Sequence, residues 1–361
     1  MSLKFLKKTF VELVGVDSPY GFEEPMIRHF KETIASYVDE VLETSRGNVF
    51  GIQHGKDDDA PTIALAAHMD QVGFVVFNIN ERGFIRFRKV GGASNRAIQG
   101  QQVRLVTEKG PVLGVIGVKP GHVTPPSETN IVPGIQEMYI DIGVWSREEA
   151  EEIGVRVGTP IVFNARPLEL ANDLITSPAV DDKTGLAVLI AVAKSLKEEA
   201  VPATIYYIGT VEEEGGLRGA AVALHDLDVD VAVAVDTAPS GWQPDINMKD
   251  IVYEVGKGPA IHLGEMGRKS TWIYHPRVRG WLIDSADAEG IPYQSSFQLG
   301  GTDASAMAQT RGGIPTTTVG IPRRYSHSPV ETFDLKDMDN LVKILVAALR
   351  GLKPGFNLLR S

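Results

Sequence analysis

Apolar residues recur every three or four positions near both ends of the chain, as at Leu3, Leu6 and Phe10, which predicts an amphipathic helix at each end. Between them, residues 62–67 and 203–209 form apolar runs of strand length, the second rich in β-branched and aromatic residues. Such runs alternate with helical patterns along the chain. The alternation predicts an α/β protein with a central mixed sheet flanked by helices.

The pattern changes between residues 71 and 168. Short alternating apolar runs there are separated by Gly and Pro every few positions, which is typical of a compact β-rich unit. One short helix is predicted within it, with Ser146 as the N-cap and Glu149 at the capping-box position. We therefore expect an inserted β-rich domain at residues 71–168 and a larger domain formed by residues 1–70 and 169–361.

Composition narrows the possible functions. With 361 residues and 43% hydrophobic content, the chain can form one large or two linked domains. It has no cysteine, so a tight metal site must use histidine and carboxylate ligands. A net charge of −10 without a concentrated basic face argues against a nucleic-acid partner. The sequence also has no signal-peptide pattern and no run of about 18 apolar residues, so we expect a cytoplasmic protein without a membrane partner.

Polar residues cluster where predicted strands end, which is where α/β sheets bind ligands. Asp70 lies two residues after His68 and can accept a hydrogen bond from its ring, holding it as a metal ligand. Two histidines and three carboxylates can hold two divalent ions if one carboxylate bridges them, and this donor set favours zinc, cobalt or manganese. The candidate set is His68, Asp181, Glu214, Asp236 and His327, with Asp70, Glu213 and Asp303 nearby.

Each feature alone also has an ordinary structural explanation. An acidic run is usually a solvated surface, and an aspartate pair at a helix start can simply cap the helix. We interpret His122 as a loop residue, and His262 and His275 as surface or pocket-edge residues. Other catalytic classes fit poorly, because no Gly-x-Ser-x-Gly elbow or phosphate-binding loop is present and a glycosidase gives no reason for the candidate histidines.

Taken in order, these motifs resemble those of the TET-type metallo-aminopeptidases, the family of glutamyl and deblocking aminopeptidases that was often mislabelled endoglucanase. The resemblance covers nearly the whole chain and implies the dinuclear zinc peptidase fold. The chain departs from the family pattern at three positions. Glu212 stands where the family usually has Gln, Gly215 where a Val is common, and Lys183 where Arg is usual. The matching segments are residues 67–74, 181–185, 210–220, 235–237, 300–303 and 325–331.

The resemblance also implies roles for the ligand candidates. In the family pattern, Asp181 bridges two metal ions. His68 and Asp236 complete one metal site, and Glu214 and His327 complete the other.

The catalytic residues implied in this way are Glu213, the general base, and Asp70. The activity we predict is a two-metal aminopeptidase that removes residues from the free amino end of peptides, with Glu213 taking a proton from the attacking water and passing it to the leaving amine. The alternatives are a related dinuclear carboxypeptidase or deacylase, and a non-catalytic peptide-binding assembly protein.

Oligomerisation is implied by the same resemblance. It predicts that the insert at residues 71–168 is a dimerisation domain and that such dimers form a hollow dodecamer. Because the insert begins immediately after Asp70, it must start at the rim of the active site. The extra acid Glu212 could raise the pKa of Glu213 or simply lie in solvent.

Overall fold

The computed structural model describes residues 2–199, 201–267, 271–353 and 355–360. Among these residues, the helices are α1 Leu3–Val14, α2 Glu24–Ile34, α3 Asn95–Ile98, α4 Arg147–Glu152, α5 Val180–Leu196, α6 Ala220–Ala223, α7 Pro276–Glu289, α8 Asp303–Met307 and α9 Leu335–Arg350. The first strands are β1 Glu40–Glu43, β2 Val49–Gln53, β3 Ile63–His68, β4 Gly73–Ile79, β5 Ile85–Val90, β6 Gln102–Thr107, β7 Gly110–Ile116, β8 Ile140–Asp141, β9 Pro160–Phe163 and β10 Leu168–Glu169. The remaining strands are β11 Leu174–Ser177, β12 Ile205–Thr210, β13 Val231–Pro239, β14 Ala260–Ile261, β15 Gly264–Met266, β16 Thr271–Ile273, β17 Phe297–Leu299, β18 Thr316–Arg324 and β19 Glu331–Asp334.

A mixed sheet forms the centre of the larger part of the molecule. Its strand order is β1-β2-β12-β3-β13-β18-β19-β11-β10, with β14 paired to β18. The four central strands β12, β3, β13 and β18 are parallel, and antiparallel strands extend the sheet on both sides. Helices α1, α5 and α9 cover one face, and α6 and α8 cover the other. The predicted α/β architecture is therefore confirmed.

A closed barrel accounts for the β-rich segment. Strands β4-β5-β8-β7-β6-β9 surround a separate apolar cluster in which Phe74 contacts both Phe87 and Phe163 edge-on. Arg104 on the barrel donates to Asp17 and, at 2.8 Å, to Asn164. The Asp17 contact holds the barrel against the rest of the protein.

Some local predictions were wrong. The apolar pattern of residues 217–227 predicts a helix there, but only the short α6 forms, because Leu217 has a φ of 59° and the Gly219 N–H donates to the Val211 carbonyl oxygen at 2.9 Å as part of the preceding turn. His262 and His275, interpreted from the sequence as surface or pocket-edge residues, are both buried. At α4, Ser146 caps the helix as predicted by accepting from the Glu149 N–H, but the Glu149 carboxylate accepts from the Trp145 N–H and does not complete the capping box.

No helix in the described ranges is both long enough and apolar enough to cross a membrane.

Candidate metal centre

Strand register brings the candidate residues to one edge of the central sheet. His68 ends β3 directly opposite Thr210, the last residue of the parallel strand β12. Asp236 lies near the end of the next strand, β13, which is parallel as well. Residues 212–214, three consecutive glutamates that we call the acidic turn, follow Thr210 at this edge, and His327 follows β18. Because the carboxyl ends of parallel strands share an edge, residues far apart in sequence converge there.

Two groups of possible metal ligands lie at this edge. One contains His68, Asp182 and Asp236, the other Asp181, Glu214 and His327, and within each group the ligand atoms lie within 4.8 Å of one another. All five predicted ligands are thus brought together, and Asp182 is added to them.

Asp181 lies between the two groups. Its Oδ1 is 3.1 Å from Nε2 of His68, and its Oδ2 is 3.2 Å from Nε2 of His327. Asp182 instead turns towards its own helix, where its Oδ1 accepts the Gly185 N–H at 2.9 Å. Asp181, rather than Asp182, therefore places one carboxylate oxygen near each histidine, although the grouping by distance puts Asp182 with His68.

The Asp70 carboxylate binds the backbone of the acidic turn and not the ring of His68. Its two carboxylate oxygens accept the backbone N–H groups of Glu213 and Glu214, each at 3.0 Å. Nδ1 of His68 is 3.1 Å from the Asp70 backbone oxygen and 3.4 Å from its carboxylate, so the predicted side-chain hydrogen bond is replaced by one to the backbone.

The two glutamates of the turn face the two histidines. Oε2 of Glu213 lies 3.9 Å from Nε2 of His68, and Oε1 of Glu214 lies 3.6 Å from Nε2 of His327. The Glu212 carboxylate points elsewhere, to an ion pair with Arg46. The extra acid therefore neither enters the centre nor lies free in solvent.

Burial disfavours the charged forms of the carboxylates that crowd the centre. Burial raises the pKa of Glu213 well above its ordinary value, and it raises the pKa values of Glu214 and Asp236 to about 7. Burial would lower the pKa of His68, but the surrounding carboxylates, Glu213 first, raise it well above its usual range. Burial would raise the pKa of Asp181, but Arg323 and the two histidines hold that pKa well below its usual value.

The donors present fit divalent metal ions. Within the described part of the chain, the buried atoms Oδ2 of Asp182, Oε1 of Glu214 and Oδ1 of Asp303 have no hydrogen-bond partner. Such atoms are costly unless a ligand or ion satisfies them. Imidazole nitrogens and carboxylate oxygens without thiolates suit zinc, cobalt or manganese. The centre therefore has the ligand types and the uncompensated charge that a divalent ion requires.

A cavity of about 370 Å³ opens onto the centre. Its walls combine the carboxylates with Leu217, Pro239 and Leu299, and a Gly300–Gly301 turn. Clefts of about 760 and 930 Å³ lie elsewhere, but neither is lined by histidine. The smaller cavity is therefore the candidate substrate site.

Sequence analysis missed two residues of the centre, Arg323 and Glu331. Arg323 is buried on β18 and pairs with both Asp181 and Glu331. The sequence pattern predicts a strand over residues 316–319, but β18 continues to Arg324 and carries Arg323 to the centre. For Glu331, the sequence signal is the matching segment at residues 325–331, which it ends.

The departures at Lys183 and Gly215 have local explanations. Lys183 is fully buried and donates to the Met69 carbonyl oxygen at 2.7 Å and to Ser18, and burial lowers its pKa to about 7. A Cβ at residue 215 would lie 2.2 Å from the Tyr20 ring, so the tyrosine occupies the space that a larger side chain would need.

Comparison with known proteins gives concordant matches. The family model described as M42 glutamyl aminopeptidase matches residues 47–344. A lysyl aminopeptidase from Pyrococcus furiosus is 37% identical over 97% of this chain and 97% of its own length. An aminopeptidase from the archaeon Desulfurococcus kamchatkensis has a structure that matches with a TM-score of 0.92 at 34% identity, covering 98% of this chain and 96% of that one.

The TET1 peptidase of Pyrococcus horikoshii is also similar in structure. It matches with a TM-score of 0.83 at 30% identity, covering 97% of this chain and 100% of that one. That protein is described as able to assemble into a tetrahedron or a large octahedral shell.

Proposed function

Because the chain belongs to the M42 glutamyl aminopeptidase family and is therefore a metal-dependent aminopeptidase, we propose that it acts through two divalent ions held at the edge of the central sheet. The observation that carries this proposal is the position of Asp181, with one carboxylate oxygen near each histidine. The proposed ligands are His68, Asp181 and Asp236 for one ion, and Asp181, Glu214 and His327 for the other. Zinc or cobalt suits these donors best, with manganese as a further candidate.

Glu213 is the proposed general base. When bound, the ions supply Lewis acidity that polarises the scissile carbonyl and makes water more acidic. Glu213 takes up the proton of the attacking water on its carboxylate and delivers it to the leaving amine. Asp70 fixes the direction of Glu213 by accepting the backbone N–H groups of the turn. The buried position of Glu213 raises its pKa, which suits a group that must hold a proton between the two steps.

The cationic side chain that lines the cavity favours a free amino terminus over a free carboxylate as the recognised end of the substrate, because it is not available to a substrate carboxylate. Arg323 is the arginine in this lining, and it is already engaged by Asp181 and Glu331. A carboxypeptidase would need a cation available for the substrate carboxylate, so the cavity supports peptides bound by their amino end.

Metal removal and return tests this function. We expect the metal-stripped protein to be inactive and zinc, cobalt or manganese, returned singly, to restore turnover of aminoacyl chromogenic substrates. Two ions per chain should be recovered at full activity, counted by elemental analysis. N-terminally acetylated substrates serve as the matched control and should stay uncleaved. Full activity with a single ion, or cleavage of the acetylated substrates, would contradict the proposal.

The proposal extends to a homo-oligomer, a dodecamer built from dimers that meet through the barrel domain at residues 71–168. The assembly described for the TET1 peptidase of Pyrococcus horikoshii supports it. So does the outer face of β7, where Leu113 is 61% exposed and Val115 points the same way. Apolar side chains exposed side by side on a strand are typical of a protein interface. An isologous contact with an apolar centre and a total buried area above about 1,000 Å² is the physical expectation.

Removing the barrel should therefore yield smaller particles. In the first variant, a short Gly/Ser linker replaces residues 71–168, and light scattering measures the particle mass. In the second, Leu113→Lys leaves the barrel core intact and places a charge in the proposed contact, so it should also reduce particle mass. Glu108→Lys, an exposed change on the same barrel, is the control for charge alone. Full-size particles after both the deletion and Leu113→Lys would show that the barrel has no role in assembly.

A further inference from the structure

Arg323 is unusual among the residues of the centre because it brings a permanent positive charge to a site that is proposed to bind cations. Its side chain is 4% exposed. Nε donates to Thr237 at 2.6 Å, and Nη1 donates to Glu331 at 2.7 Å and to Ser326. Nη2 donates to Oδ2 of Asp181, the oxygen that also faces His327. The guanidinium is thus fixed on the carboxylate that we assign as the bridge.

Glu331 occupies the other side of this arginine and is also buried. Its Oε1 accepts the backbone N–H of His327 at 2.6 Å, and its Oε2 accepts the backbone N–H of Asp181 at 3.2 Å. Asp181 lies at the start of α5 and His327 in the loop after β18, and the two residues are 146 positions apart in the sequence. One carboxylate therefore ties together the backbone at both of them.

We propose that Arg323 and Glu331 form a charge-neutral positioning pair that sets the metal affinity of the centre. Glu331 aligns the backbone at Asp181 and His327, while Arg323 cancels the charge of Glu331 and competes with metal ions for Asp181. The proposal rests on the ligand assignment given under the proposed function. It concerns affinity and stability, and neither residue is assigned a step in the reaction.

Electrostatics gives the two members opposite effects. A unit charge a few ångströms from a divalent ion changes the affinity for that ion, and it does so more strongly in a buried site than in water because the effective dielectric constant is lower. Without Arg323, the centre gains one negative charge and a free oxygen on Asp181, so metal ions bind more tightly. Without the Glu331 charge, Arg323 is uncompensated and one backbone N–H loses its acceptor, so metal ions bind more weakly.

A purely structural role predicts a different outcome. If the pair only maintained the fold around the centre, removing either member would loosen the ligands and weaken metal binding. Partners that hydrogen-bond to metal ligands usually act in this way, with losses of about 10- to 100-fold in affinity on mutation. The direction of the change in the arginine variant therefore separates the two explanations.

The test measures zinc affinity by competition with a chromophoric chelator, using the full-length protein. We expect Arg323→Met to bind zinc about tenfold more tightly and Glu331→Gln at least about tenfold more weakly. We also expect the metal-free form of Arg323→Met to melt at a lower temperature than the metal-free wild type, because the buried acids lose their counter-charge. Weaker or unchanged zinc binding in Arg323→Met would overturn the proposal.

Arg324→Met is the matched control, since it removes the same charge from the next residue of β18, whose side chain points to the other side of the strand. Its zinc affinity should equal that of the wild type. If Arg323→Met cannot be purified without metal, the double variant Arg323→Met/Glu331→Gln replaces it. The double variant should bind zinc more tightly than Glu331→Gln alone, and weaker binding would refute the proposal.

A failure of the ligand assignment itself gives a distinct result. In that case Asp181→Asn binds zinc as the wild type does, and the proposed function fails with it. If Asp181→Asn loses zinc while Arg323→Met is unchanged or weaker, only the role of the positioning pair is wrong.

Discussion

Replacing Glu213 with glutamine should lower turnover by about 10² to 10⁴ while leaving the metal content near normal. Glutamine preserves the size of the side chain but cannot accept the proton of the attacking water. The Glu213 carboxylate lies beside His68 with a side-chain exposure of 11%, and it is not one of the proposed metal ligands. The measurement is the turnover number for an aminoacyl chromogenic substrate, together with the zinc content of the same sample.

Glu212→Gln is the matched control, because it makes the same chemical change at the preceding residue. The Glu212 carboxylate pairs with Arg46 at a partly exposed position, and pairs of this kind contribute about 0 to 1 kcal/mol. We therefore expect turnover to change by no more than about fivefold. Equal harm from the two substitutions would mean that the base has been assigned to the wrong residue of the turn.

Asp181→Asn should remove metal from both positions and lower turnover by at least about 10³. The substitution is nearly isosteric, but it removes the negative charge and leaves one oxygen where a bridge needs two. It also leaves Arg323 without its partner at the centre, which adds repulsion against any bound cation. Elemental analysis after gel filtration, followed by turnover at saturating zinc, measures both effects.

Asp182→Asn tests the bridging assignment against its neighbour. An asparagine at residue 182 can still accept the Gly185 N–H through its oxygen, so the start of α5 should keep its shape. We expect this variant to retain two ions per chain. If Asp182→Asn loses its metal ions and Asp181→Asn does not, then Asp182 is the bridging residue. That result would agree with the grouping of Asp182 with His68 and Asp236 by distance.

Much of the fold follows from short-range patterns in the sequence. The helical periodicity of Leu6, Phe10 and Leu13 corresponds to the buried face of α1, and the apolar runs at residues 62–67 and 203–209 correspond to the central strands β3 and β12. Side-chain periodicity is a property of neighbouring residues, so it can be read without knowing the fold. The same holds for polar residues at strand ends, which is why the five proposed ligands could be named in advance.

The errors in the local predictions have two different origins. The helix expected at residues 217–227 begins only at Ala220, because Leu217 has a φ of 59° and the Gly219 N–H donates to the Val211 carbonyl oxygen in a turn that the helical pattern does not encode. His262 is buried because the chain beside it pairs with the distant strand β18, where its N–H donates to the Thr318 carbonyl oxygen at 3.0 Å. Backbone conformation in a turn overrides the local preference in the first case, and packing between distant segments does so in the second.

The sequence by itself determined the α/β architecture, the family and the residue types available for a metal centre. Only the tertiary structure decided how charge is arranged around that centre. Arg323 is 142 residues from Asp181, and nothing in the spacing of either residue indicates that they meet. The two are joined because β18 lies beside β13 with its end at the metal centre, and an ion pair depends on distance in space, not on position along the chain.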